Sequence, residues 1–293
     1  MQRHKALLVI VILAILTRLP FLNIFPPGGV NTLLPRLITA ISAIISIVLL
    51  YVVVLQKTGK KDLAQASALI LTLLPWHIEQ SRIYSPFMLA LSLLLMVALL
   101  WQIAPCKSCK TVLLIFSSIV IWRLLPDLWM FHPPYILPSL TKIIINVFKI
   151  LSVDFLFFNN DSFWFGGLRT TGVLLPSEIV IFMVGLAAVI TNFVKRNLWL
   201  VFLFIVFLLL AALDPLFPET RVLFLSTPLL ALLAAQGILH LNKMYQHKAW
   251  PVKAAIVFYV IVLLYEHIIF VHTYTSHYTN RFANDIPYEE RTY

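Results

Sequence analysis

Apolar runs long enough to cross a lipid bilayer recur along this chain from residue 6 to residue 272. A bilayer core asks for about 17–25 mostly apolar residues per helix. One cleaved signal peptide accounts for one such run, not for a series. The runs predict nine spans, at about 6–24, 36–55, 63–78, 86–104, 111–126, 174–194, 197–213, 221–240 and 254–272. The expected architecture is therefore all-α, a polytopic transmembrane helical bundle forming a single domain over 1–293. Composition agrees. The chain is 61% hydrophobic and 12% charged, where soluble domains run near half and about a quarter.

Charge placement orients the bundle. With the N-terminus inside, the short inner segments hold Arg3, Lys5, Lys57, Lys60, Lys61, Lys107, Lys110, Lys195, Arg196, Lys243, Lys248 and Lys253. This is the excess that the positive-inside rule describes. It predicts a multi-pass plasma-membrane protein with a cytoplasmic N-terminus and an outer C-terminus, ending in an outer tail over 273–293. The net charge of +10 does not point to nucleic acid, because the basic residues form no stripe and no binding motif.

Lysines and arginines separate. Most lysines fall inside, whereas Arg18, Arg36, Arg82, Arg123, Arg169, Arg221, Arg281 and Arg291 fall outside or at outer helix ends. A guanidinium grips phosphate or carboxylate with two parallel bonds, while lysine acts as a point charge. Either these arginines pair with outer acids and water, or they line an outward site for an anionic ligand. Ionisable residues near spans point to a functional site by default.

The segment 75–87, PWHIEQSRIYSPF, sits between two apolar runs. It reads as a joint at the outer surface. Pro75 closes the third span, Pro86 opens the fourth, and Trp76 and Tyr84 anchor the joint at the interface. Glu79 and Arg82 are three apart and share a face if helical. They close a helix hairpin as an ion pair, or they form one wall of the site.

Residues 127–173 make a long outer segment. Ser139 follows Pro138 as an N-cap, and Lys142, Asn146 and Lys149 mark a polar stripe on an apolar helix. That pattern suits an amphipathic helix lying in the outer interface or packed in a small outer subdomain. Asn160-Asp161-Ser162 matches a glycosylation acceptor but reads first as a turn. Cys106 and Cys109 supply half of a structural zinc set, with no second pair. The plain reading is a cytoplasmic turn. No Gly-rich phosphate loop, nucleophile elbow or metalloprotease motif occurs. Glu266-His267 reads as a satisfied or snorkelling pair.

Four stretches carry a resemblance. They are TRLPFL at 17–22, LLPRLITAISAIISIVLLYVV at 33–53, LLPWHIEQSRIYSPFMLALSLLL at 73–95, and the pair at 155–189 and 219–238. In this order they resemble the membrane-embedded glycosyltransferases of the C superfamily, relatives of protein mannosyltransferases and aminoarabinose transferases. The resemblance implies sugar transfer from a polyprenyl-phosphate-linked sugar at the outer face, with the lipid tail in the membrane and basic residues on the phosphate. It also implies a carboxylate in the first outer loop. Residues 20–36, PFLNIFPPGGVNTLLPR, hold no Asp or Glu, so that base has no counterpart here.

The catalytic candidates are instead Glu79, Asp127 and Asp161. The substrate-binding candidates are Arg82, Arg221, Arg36, Glu219 and Asp214. The expected partners are the polyprenyl-phosphate sugar and membrane lipid. No cofactor is expected, and the metal requirement stays open at this level. The alternative function is a non-catalytic relative that binds a polyprenyl-phosphate lipid or a partner membrane protein.

Overall fold

The structure is a computed structural model that describes residues 5–19, 33–82, 85–104, 106–113, 115, 139–158, 174–191, 198–213 and 221–276. Among them the regular structure is helical, with no strand. The α-helices are α1 (Lys5–Arg18), α2 (Leu33–Thr58), α3 (Lys61–Leu73), α4 (Pro75–Arg82), α5 (Pro86–Ile103), α6 (Leu140–Ile150), α7 (Glu178–Thr191), α8 (Leu198–Ala212), α9 (Thr227–His247) and α10 (Trp250–Ser276). A π-helical turn covers Asp154–Phe158 and a 3-10 turn covers Arg221–Ser226.

Among the described residues, four helices are long and apolar enough to cross a membrane: Leu33–Thr58, Pro86–Ile103, Leu223–His247 and Trp250–Thr273. The nine expected spans are therefore too many by this measure. The expected spans at 6–24, 63–78 and 197–213 fall on described helices of 14, 13 and 15 residues, shorter than a full crossing. Glu178–Thr191 is a shorter apolar helix, and most of 111–126 lies outside the described residues.

Packing orders these helices. Leu223–His247 is central, with 72% of its apolar window buried, whereas Trp250–Thr273 is peripheral at 11%. The central helix lies on α7 and α3; α2 lies on α3 and α5; α1 lies on α3 and α2. The seam between α7 and α9 is the closest. A Cβ on Gly185 would overlap the Leu233 carbonyl, and one on Gly237 would overlap the Ile181 carbonyl. Lipid tails are as apolar as leucine, so helix adhesion in a bilayer comes from such backbone approach and from polar contacts.

The third span is the main departure from the sequence expectation. The chain is continuous through 61–82 but helical in two pieces, broken at Leu74 (φ −58°, ψ 121°). Pro75 has no N–H and cannot serve the Leu71 carbonyl four residues back. The second piece, α4, is no surface joint. Every residue from Pro75 to Arg82 is buried. Trp76, expected at the interface, packs edge-on against Phe224 with ring centroids 5.4 Å apart. Tyr84 lies outside the described residues. Pro86 does start α5 as expected.

α6 forms where its pattern put it, and Ser139 caps it by accepting from the Lys142 N–H at 3.3 Å. The polar stripe is corrected in part. Lys142 and Lys149 are exposed, but Asn146 is buried and donates to the Ala212 carbonyl at 2.9 Å. Leu140, Ile144, Ile145 and Phe148 are exposed, an apolar face suited to an interface. Cys106 and Cys109 are joined in a disulfide, with Cα atoms 5.3 Å apart, where a plain turn was expected.

Candidate functional site

The break at Leu74 leaves the last carbonyls of α3 without helical donors. In lipid such groups are satisfied only from within the protein. Arg18, the last residue of α1, does this. Its Nη2 donates to the Thr72 carbonyl at 3.0 Å and reaches the Leu71 carbonyl at 3.5 Å. The same nitrogen meets His77 Nδ1 at 2.7 Å. Its Nη1 donates to Thr17 Oγ1 at 2.7 Å. Arg18 is fully buried.

Proton positions follow from these contacts. A guanidinium only donates, so His77 Nδ1 is the acceptor and the ring proton sits on Nε2. Nε2 lies 3.0 Å from Ser46 Oγ and donates to it. Ser46 Oγ in turn donates to the Ala43 carbonyl at 2.7 Å. One directed chain thus runs from α1 through α4 to α2. Phe224 of the 3-10 turn stacks on the His77 ring at 6.2 Å and closes the chain off from that side.

Glu79 and Arg82 share the buried α4 with His77. Arg36, also buried, stands in the first turn of α2. Thr39, one turn further along the same face, accepts from the Ser85 N–H at 3.4 Å. This contact ties the start of α2 to Ser85, the residue before α5. Arg36 lies at the opposite end of α2 from Lys57, and α3 starts beside Lys60 and Lys61. The bundle therefore has a buried arginine end and a lysine end. Among the described residues around α4, three arginines and one carboxylate are buried at the arginine end.

The sequence candidates separate accordingly. Glu79 and Arg82 lie buried on α4, and Arg36 lies buried in the first turn of α2. Arg221 is the first residue of the 3-10 turn, whose Phe224 packs on α4. Asp127, Asp161, Asp214 and Glu219 lie outside the described residues. Arg18 was named only in the general set of outer arginines, and His77 and Ser46 were not candidates, although all three carry the geometry. The signal for Arg18 was present: an arginine ending an apolar run is unusual enough to demand a partner. Nothing in the sequence pointed to Ser46, one of several small residues in α2. Among the described residues no group of three His, Cys, Asp or Glu is placed to hold a metal.

Comparison with protein-family models, with curated proteins and with solved structures finds no match for this chain. The functional reading therefore rests on the residues themselves.

Proposed function

We propose that this chain is a glycosyltransferase-like membrane protein that takes a sugar from a polyprenyl-phosphate donor at the arginine end of its bundle. The observation that carries the reading is the burial of Arg36, Arg82, Glu79, Arg18 and His77 in an apolar bundle. Guanidinium groups suit a phosphate leaving group. A carboxylate buried beside them suits a base for an acceptor hydroxyl. In this reading Arg82, Arg36 and Arg221 face the phosphate and Glu79 is the base. The resemblance in the order of the four sequence stretches supports the same class.

The proposed topology has a cytoplasmic lysine end and an outer arginine end. The lysine asymmetry supports it. The Cys106–Cys109 disulfide pulls the other way, since such bonds persist in oxidising compartments. Thiol labelling decides. On intact cells a membrane-impermeant maleimide is expected to miss Cys106 and Cys109, even after mild reduction, and to reach a cysteine placed at Asn160. The opposite pattern inverts the protein and removes the outer-face reading.

The activity test is transfer from a panel of polyprenyl-phosphate sugars by purified full-length protein. Transfer that Glu79→Gln abolishes, with lipid binding retained, is the expected result. One observation favours the second reading, a non-catalytic lipid-binding relative: residues 20–36 carry no acid. Lipid binding lost in Arg82→Ala but with no transfer to any acceptor would establish that reading. Neither binding nor transfer would leave the buried cluster as a purely structural device.

A further inference from the structure

A second polar joint lies away from α4, where α10 meets the start of α7. α10 is mostly apolar and largely exposed, with Val257, Phe258, Ile261, Leu264 and Ile268 facing outward. Among the described residues, three of its polar side chains reach the start of α7. Tyr259 Oη donates to the Ser177 carbonyl at 2.8 Å. Glu266 Oε2 accepts from the Ser177 N–H at 2.8 Å. His267 Nε2 faces Glu178 Oε1 at 3.4 Å.

The third contact fixes a proton. His267 Nδ1 lies 2.8 Å from the Leu263 carbonyl, and a carbonyl oxygen only accepts, so Nδ1 carries a hydrogen. If the ring were neutral and Glu178 ionised, Nε2 would then present a lone pair to a carboxylate oxygen. Both atoms are buried, and neither has a hydrogen-bond partner among the described residues. Two acceptors held face to face in a low-dielectric interior repel each other and forfeit their solvation. One proton between them removes the conflict, as imidazolium with carboxylate or as imidazole with carboxylic acid. Glu178 Oε2 is engaged separately, accepting from the Leu175 N–H at 2.8 Å. Glu266 and Tyr259 are the titratable neighbours acting on this joint.

We infer that Glu178 and His267 form a proton-binding site that holds one shared proton and fastens α10 to α7 while the proton is present. The ligand is H⁺ itself. Binding forms an N–H or O–H bond at the pair and breaks none in the chain. Loss of the proton to solvent base leaves lone pair against carboxylate, and the joint loosens. The site is independent of the buried helix α4 and of sugar transfer.

The test uses full-length protein in lipid nanodiscs, with Cys106 and Cys109 replaced by serine and spin labels at Met183→Cys on α7 and Ile261→Cys on α10, both exposed positions. The label separation is expected to stay short at neutral pH and to lengthen as the medium becomes alkaline. Glu178→Gln is expected to keep the short separation throughout, because its amide donates to the Nε2 lone pair without titrating. A parent separation that ignores pH overturns the inference, as does a Glu178→Gln separation that follows the parent. Where that variant fails to fold, ¹⁵N NMR of the histidine rings in the parent decides. A His267 Nε2 that is neither protonated nor hydrogen-bonded at neutral pH overturns the proposal.

Discussion

Two seams hold this bundle, and they solve the same problem in opposite ways. Around α4 the helices are joined by side chains that donate and accept: Arg18 to Thr72 and His77, His77 to Ser46. Between α7 and α9 they are joined where side chains are missing, at Gly185 and Gly237. Neither seam gains much from burying apolar surface, because the alternative environment is already apolar. The polar seam is directional, and its parts can be rewired if donors and acceptors still match. The glycine seam is steric and admits almost no change.

The largest effect is therefore expected at the glycine seam. Gly185→Leu places a branched side chain where a single Cβ already overlaps the Leu233 carbonyl. No flexible side chain is there to give way, only backbone. The cost should reach the upper end of the about 1–3 kcal/mol typical of overpacking, or exceed it. The expected readout is loss of a monodisperse peak for the detergent-solubilised protein. A folded Gly185→Leu protein with unchanged thermal stability would show that α7 and α9 are not in backbone contact.

The polar seam should fail more gently and in a way that can be repaired. Arg18→Met removes the donors to Thr72 and His77 and leaves both acceptors buried. The expected cost is about 2–3 kcal/mol, read as a lower midpoint of thermal unfolding. Adding His77→Leu removes one of the stranded acceptors. The double variant should then be less damaged than the sum of the two single changes, with a coupling of about 0.5–3 kcal/mol. Strict additivity would mean that Arg18 and His77 do not share a bond, and the directed chain would lose its first link.

The contrast also explains what was readable beforehand. Helix positions were legible because apolar runs and proline punctuation are local. Pro75 and Pro86 bound α4 and α5 as expected, and Ser139 capped α6. The burial of α4 was not legible. A polar octet between apolar runs has the composition of a surface joint, and its buried His77 is met by Arg18, 59 residues away in the chain. Likewise Gly185 and Gly237 look like ordinary residues of two apolar runs until the runs are paired. Glu266-His267 was legible as an interacting pair, but the partner of His267 is Glu178, which no spacing rule connects to it. Arg36 and Arg82 were singled out from the arginine asymmetry and Glu79 from the polar joint, and all three are buried. The remaining acids that were proposed lie outside the described residues.

The smallest effect is expected at a third kind of contact, a single polar bond on an otherwise apolar helix. α6 turns Ile143, Asn146, Val147 and Ile150 towards the protein and leaves Leu140 and Phe148 outward. Asn146 is the polar member of the inward face, donating to the carbonyl of Ala212 at the end of α8. A helix C-terminus leaves its last carbonyls without partners, so this bond satisfies one of them. Asn146→Leu loses that bond but gains apolar contact of similar volume. Interhelical hydrogen bonds measured in a membrane protein average about 0.6 kcal/mol, so the net loss should be a fraction of a kcal/mol. Its location is the sharper readout. Hydrogen exchange should rise at the end of α8 and in α6, with no change at α4 or at the glycine seam. A loss as large as that of Arg18→Met would place α6 among the principal supports of the bundle. No change in exchange at α8 would mean that the Ala212 carbonyl finds another donor.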